Sequence, residues 1–281
     1  MKSSVILICA LAVLASPFAG AVDVARSGGP YVPTPPAVVN AMLDMAGVGP
    51  RDFVVDLGSG DGRIVLAAAT QRGASGVGVD IDPGLVGRAN AAARAAGVAQ
   101  RAHFVTQDVM KADLGRATVV TLYLLPEMMG RLRPKLLAEL RPGTRIVSHD
   151  FWFDGWKPDR MIKVESPEKY DDLGTWSSEL RLWIVPAAVQ GAWRVERMGA
   201  GTAPARLEIR QGYQVIKGRL TLGASTAALR EGRLEGERLS FAVAVQGRNE
   251  RYTAVVSGDR MQGEVRDGAV VIARWSAARL P

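Results

Sequence analysis

The stretch Val54-Val55-Asp56-Leu57-Gly58-Ser59-Gly60-Asp61-Gly62-Arg63 decides how the rest of the chain is read. Phe53, Val54 and Val55 form a short β-rich apolar run closed by glycines, the pattern of a buried strand. From Ile64 the pattern becomes helical, through Ile64-Val65-Leu66-Ala67-Ala68-Ala69, and it stops at Gly73. Gly58, Gly60 and Gly62 lie between, in a strand-to-helix turn. Glycine permits positive φ and close approach of a ligand, and the helix N-terminus offers free N–H donors. The stretch predicts a nucleotide-type binding turn. A dinucleotide fingerprint needs its third glycine at position 63, where Arg63 stands, and no Gly-Lys-Ser/Thr triplet of a P-loop follows.

Working outward, strands and helices alternate. Gly76 to Ile81 reads as a second strand ending at Asp80, where a nucleotide fold places the acid that bonds both ribose hydroxyls. Pro83 opens a helix closed by Gly97, and His103 to Gln107 is a third strand ending at Asp108. Ala117 to Leu125 is a fourth, apolar enough for a sheet centre covered on both faces. Met128, Met129, Leu132 and Leu136 mark the next helix, ended at Arg141-Pro142-Gly143. Thr144 to Phe151, Met161 to Val164 and Glu179 to Val185 complete seven strands. Alternation with right-handed crossovers predicts a doubly wound, Rossmann-like α/β sheet with its ligand at the strand C-termini. Before the first strand, Thr34 suits an N-cap and Pro35 the first helical position. Tyr31 is suited equally to core packing and to covering a ligand.

Near Pro186 the pattern changes. Leu239, Phe241, Val243 and Val245 alternate with Ser240, Ala242, Ala244 and Gln246, and turn signals recur at Gly247, Gly258 and Gly268. This predicts a small all-β antiparallel domain over 190–281, of six or seven strands in a sandwich or partial barrel. It shows no catalytic spacing, so a docking module is expected, and the domain over 22–188 should fold without it.

The ends of the chain and its composition bound the rest. Residues 1–21 read as a secretory signal peptide: Lys2, an apolar run from Val5 to Ala15, and an Ala19-Gly20-Ala21 cleavage site. An exported protein, periplasmic or secreted, is expected, with an N-terminal membrane anchor as the alternative. The only cysteine, Cys9, lies in that leader, which excludes disulfides and cysteine chemistry from the mature chain. His103 and His149 are the only histidines, so no metal site is expected. The net charge of +7 is spread over many arginines, which argues against a specific nucleic-acid partner and leaves a membrane surface open.

Asp56-Leu57-Gly58-Ser59-Gly60-Asp61-Gly62-Arg63-Ile64-Val65, with Val32-Pro33, Gly78-Val79-Asp80, Leu85-Val86, Asp108, Met128-Met129, Phe151 and Trp156, carries a family resemblance. Asp-x-Gly-x-Gly-x-Gly looks like motif I of class I S-adenosylmethionine (SAM) methyltransferases. Tyr31 to Pro158 resembles the lysine methyltransferases of the ATP-synthase c-subunit and the adenine-nucleotide translocase, together with their bacterial relatives. The resemblance implies SAM as cofactor and a protein lysine as methyl acceptor; a small molecule or envelope lipid, or an exported binding protein without turnover, are the alternatives. It implies that SAM meets Tyr31, Asp56, Gly58, Ser59, Gly60, Gly62, Asp80, Ile81, Asp108 and Val109. In the family Asp56 helps orient the SAM ammonium, and an acid at the place of Asp108 commonly meets the adenine amino group. Tyr123, Glu127, His149 and Asp150 stand at the strand ends where catalytic polar groups are expected. His149-Asp150 replaces a cysteine and an arginine of the animal enzymes. Leu124-Leu125-Pro126-Glu127 replaces the (Asn/Asp)-Pro-Pro-(Tyr/Phe) of many amine methyltransferases.

Overall fold

The computed structural model describes residues 29–166, 177–198, 205–245 and 247–281. The leader expected over 1–21 lies outside the described residues. The first sheet contains β1 (Phe53–Leu57), β2 (Ser75–Asp80), β3 (Ala102–Thr106), β4 (Val119–Leu122), β5 (Arg145–His149), β6 (Arg160–Glu165) and β7 (Ser177–Ile184). Their order is β3-β2-β1-β4-β5-β7-β6, with β1 to β5 parallel and β7 antiparallel to both neighbours. All seven strands stand where the hydrophobic runs place them.

Alternation along each strand divides the core. Val54, Val119 and Val147 face α1 (Pro36–Met45) and α2 (Arg63–Gln71), burying Val38, Met42, Leu43 and Ala68. Their neighbours Val55, Val120 and Ile146 face the other way, against Met128, Met129, Leu132 and Leu136 of α4 (Pro126–Glu139). Successive side chains of a strand point to opposite faces, so a continuous apolar run serves a sheet covered on both sides. The α3 helix (Pro83–Ala95) packs Val86, Ala89 and Ala93 near Phe104 of β3. Asp82 caps it, accepting from the N–H groups of Gly84 at 2.7 Å and Leu85 at 3.1 Å.

The start of α1 differs from the expectation. Pro35 is the N-cap and Pro36 opens the helix, one residue later than predicted. Thr34 makes no cap bond because its hydroxyl is engaged across the sheet by His149, 3.2 Å away. A long-range partner has displaced the local one.

The second sheet is corrected in strand number and in closure. It has nine strands: β8 (Gly191–Met198), β9 (Ala205–Gly212), β10 (Val215–Leu222), β11 (Ser225–Ala228), β12 (Arg230–Glu235), β13 (Arg238–Val245), β14 (Arg248–Ser257), β15 (Arg260–Asp267) and β16 (Val270–Arg279). β10 pairs with β9 on one edge, and with β11 and then β12 on the other. Pairing of the last strand, β16, with the first, β8, closes an antiparallel barrel. That closing pair joins segments distant in sequence, so twofold alternation alone could not reveal it. Closure removes the exposed edges that an open sheet would present. Trp193, Leu207, Phe241, Tyr252 and Trp275 fill the interior, each buried, so the barrel is a packed core. One ion pair lies within it. Arg197 meets Glu250 through two bonds, at 3.1 and 3.3 Å, and the Tyr252 hydroxyl donates to the same carboxylate at 3.0 Å.

Candidate active site

The parallel strands end at one edge of the first sheet, and a cleft of about 250 Å³ opens there. Its walls include Asp56 and Gly58 after β1, Asp80 and Ile81 after β2, Tyr123 and Leu124 after β4, and residues 29–34. Asp56, Asp61, Asp80 and Asp82 line it against the single guanidinium of Arg63. A protein of net charge +7 thus has an acidic cleft, suited to a cationic ligand.

Asp56 is buried at 3% exposure and accepts one hydrogen bond, from the Thr121 hydroxyl at 2.7 Å. Burial pushes its carboxyl up to about 7; the Thr121 bond opposes this, and the Asp80 and Asp61 charges add to it. Thr121 was not singled out from the sequence, although a signal existed. It interrupts an apolar central strand and stands in register with Asp56.

Asp80 holds the glycine turn. One oxygen accepts the Gly60 N–H at 2.7 Å and the other the Asp82 N–H at 2.9 Å. Gly60 has φ of +54°, and a Cβ there would come within 2.6 Å of the Tyr31 ring, so only glycine lets Tyr31 lie on the turn. Gly62 has φ of +83° and faces Phe104 and Ala89 instead, which gives it a packing role beneath the turn.

The segment that carries Tyr31 and Thr34 is clasped from two sides. Arg63 donates to the Thr34 carbonyl at 2.8 Å and to Asp61 at 2.6 Å. Burial raises the Asp61 carboxyl, but the Arg63 bonds outweigh it and hold the group below its ordinary value. Burial and Asp61 push the Tyr31 phenol up. The other clasp is His149, fully buried, with Thr34 at one ring nitrogen and Ser178 at the other, 2.8 Å away. Arg63, Thr34 and Ser178 were missed as site residues, because nothing local marks a residue that fastens a distant segment.

Tyr123 stacks on His149 with ring centres 3.9 Å apart, and lies 5.9 Å from Phe151. Burial, then the Asp150 charge, push its phenol up to about 12, so it stays neutral at physiological pH and forms a wall. Asp150 has φ of +59°, accepts the Glu179 N–H at 2.9 Å and lies 3.3 Å from His149.

The structure therefore brings Tyr31, Asp56, Gly58, Ser59, Asp80, Ile81 and Tyr123 to one cleft. Gly60 lies beneath Tyr31. His149 and Asp150 stand behind Tyr123. Glu127 is exposed in the first turn of α4, where the helix dipole favours an acid. Asp108 caps the short turn Val109–Lys111 after β3, donating no group to the cleft wall. Among the described residues no cluster of three metal-ligating side chains occurs.

A β3-β2-β1-β4-β5-β7-β6 sheet with a glycine turn after β1 and acids at the ends of β1 and β2 defines a SAM-dependent methyltransferase. Residues 56–160 match the ANTKMT methyltransferase domain. A protein-lysine N-methyltransferase of Saccharolobus islandicus is 47% identical over 137 residues, 48% of this chain and 85% of that protein. The ATP synthase c-subunit lysine N-methyltransferase of Xenopus laevis is 37% identical over 133 residues, 47% of this chain and 58% of that protein. An RNA methyltransferase from Salinibacter ruber, solved with S-adenosyl-L-homocysteine, aligns with a TM-score of 0.50 at 47% identity, over 56% of this chain and 96% of that one. The chain belongs to this family of SAM-dependent protein-lysine methyltransferases. The matched domain stops at Arg160, before the barrel begins.

Proposed function

We propose that this protein methylates a lysine side chain of a protein, with SAM held in the acidic cleft at the ends of β1 and β2. The observation that carries the reading is the pair of carboxylates, Asp56 and Asp80, on neighbouring strand ends beside an aromatic wall. Their chemistry fits the group: a buried carboxylate with a single hydrogen bond suits an ammonium, and a half-exposed one at a strand end suits a ribose diol. Bound SAM supplies a methyl group activated by its sulfonium, so the chain must chiefly align, orient and exclude water. Asp56 orients the ammonium, Asp80 the ribose, and Tyr31 covers the turn. Asp108 and Val109 stand at the end of β3, on the side where the adenine would lie. Tyr123 and Phe151 give the acceptor side a low-polarity wall, which favours the neutral amine that a nucleophilic lysine requires.

An RNA acceptor is the second reading, favoured by the Salinibacter ruber relative described as an RNA methyltransferase. Full-length protein incubated with tritiated SAM and envelope extract decides between them. Label recovered as methyl-lysine after acid hydrolysis supports the protein reading. Label released by ribonuclease, or extracted with lipid or small molecules, overturns it.

The raised Asp56 carboxyl predicts a pH profile. Its folded value lies above that of an ordinary carboxyl, so the ligand-free protein loses stability as pH rises through about 7. SAM binding has the opposite dependence, because the ammonium selects the ionised carboxylate. Affinity should reach a plateau above about pH 7 and fall up to about tenfold per unit below it, with proton release on binding. Titration calorimetry from pH 5.5 to 8.5 reads this, and Asp56→Asn should flatten the profile. A flat profile in the unmutated protein removes Asp56 from the ammonium site.

We also propose export, with cleavage after Ala21 and the mature chain in the periplasm or outside the cell. The support is the sequence of residues 1–21. Among the described residues no helix is long and apolar enough to cross a membrane. N-terminal sequencing of protein from the envelope fraction should begin at Val22. An intact Met1 in the membrane pellet would favour the anchor instead.

A further inference from the structure

The barrel meets the first sheet at the edge opposite the cleft. A Cβ on Gly236, in the β12–β13 turn, would lie 2.9 Å from the backbone of Gly143, which precedes β5. The Ala187 N–H donates to the Gly236 carbonyl at 2.8 Å. Strands of five residues at about 3.3 Å each put this contact roughly 15 Å from the strand C-termini. Among the described residues lining the cleft, none comes from the barrel. The described residues of the barrel do not wall the site.

The barrel has another route. The segment from Phe151 to Asp159 leaves the cleft edge after β5 and runs down to the start of β6. Its first residue stands against Tyr123, and its middle, Phe153 and Trp156, is buried with rings 5.3 Å apart. Its lower end is taken by the β9–β10 turn of the barrel. Tyr213 stacks on Trp156 with centres 5.2 Å apart and planes 9° from parallel. Gln214, 6% exposed, accepts from Trp156 Nε1 at 2.9 Å and donates to the Lys157 carbonyl at 2.8 Å and to Asp159 at 3.0 Å. One side-chain amide thus fixes three residues of the segment. Arg233 adds an ion pair to Asp159 at 2.7 Å on the exposed rim.

We propose that the barrel is a positioning element for the acceptor side of the cleft, with Gln214 as its principal positioning residue. The joint holds the segment after β5, the segment holds Phe151 against Tyr123, and Tyr123 forms the wall past which the acceptor enters. SAM lies on the β1–β2 side and should not sense the joint. This rests on the methyl-transfer reading above, and deepens it by giving the barrel a role that the matched domain does not contain.

The test uses the full chain carrying Gln214→Ala, with Arg233→Ala as a milder variant that removes only the exposed guanidinium paired with Asp159. Three quantities are read: hydrogen exchange of amides 151–159, SAM affinity by calorimetry, and turnover as S-adenosylhomocysteine release with poly-L-lysine and with envelope extract. Gln214→Ala should speed exchange of the segment about tenfold, leave SAM affinity within twofold, and lower kcat on the acceptor about tenfold. Arg233→Ala should give smaller changes in the same direction. Unchanged exchange in the segment overturns the proposal. So does loss of SAM affinity in parallel with turnover, which is the mark of a merely structural joint. Freed exchange with undiminished kcat overturns it as well. If Gln214→Ala fails to fold, the same criteria apply to Arg233→Ala. Unmutated protein active on the extract but never on lysine overturns the lysine reading alone, because the ratio of variant to unmutated turnover is still read on the extract.

Discussion

Asp80→Ala should weaken SAM binding by about 3 kcal/mol, roughly 150-fold, because two charge-assisted hydrogen bonds to the ribose are lost at about 1.5 kcal/mol or more each. The structure adds a reason for a large effect. The same carboxylate holds the Gly60 and Asp82 N–H groups, so its removal also frees the turn on which Tyr31 rests. Asp80→Asn, which keeps one acceptor oxygen, should fall between the two. Isothermal titration with SAM and with S-adenosylhomocysteine gives the numbers, and both ligands should lose affinity equally because both carry the ribose. Unchanged affinity in Asp80→Ala takes Asp80 out of the ligand site and leaves it as a brace for the turn.

A comparable effect on stability is expected at the barrel core. Glu250→Ala leaves the Arg197 guanidinium without its carboxylate inside a packed barrel, where the two side chains are 13% and 8% exposed. Removing one partner of a buried pair costs about 3–5 kcal/mol, since the remaining charge stays desolvated. Tyr252 loses its acceptor in the same step. Replacing all three polar partners, Arg197→Met with Glu250→Leu and Tyr252→Phe, should restore most of the stability, because a buried pair contributes little beyond what well-packed apolar groups supply and no buried hydroxyl is then left unpaired. Urea unfolding followed by tryptophan fluorescence reads both variants, with Trp193 and Trp275 reporting from the barrel interior. A Glu250→Ala cost below about 1 kcal/mol would show that the pair is hydrated and adds nothing to the barrel.

These expectations differ in how far the sequence alone supports them. The strands of the first sheet, the glycine turn and the acids after β1 and β2 were legible because each follows from local chemistry. A buried parallel strand must be apolar on both faces, a tight strand-to-helix turn needs glycine, and an acid at the end of the second strand stands where a nucleotide fold meets the ribose. Asp80 was placed by its distance from the glycine turn, and the structure puts it in the cleft with its oxygens on the turn itself.

What tertiary structure decided concerns partners distant along the chain. Closure of the barrel rests on β16 meeting β8, which no alternation pattern encodes. His149 reads as a polar group at a strand end. Thr34, 115 positions away, and Ser178, 29 away, make it a buried clasp on the segment that carries Tyr31. Gln214 shows no local signature at all; only the docking of a β-turn onto Trp156, 58 positions earlier, gives its amide three partners. The sequence alone determined the class of chemistry, because cofactor recognition lies in one short run whose backbone geometry its own residues dictate. The folded chain decided how the acceptor side is held, because that depends on side chains whose partners are fixed only when the two sheets pack together.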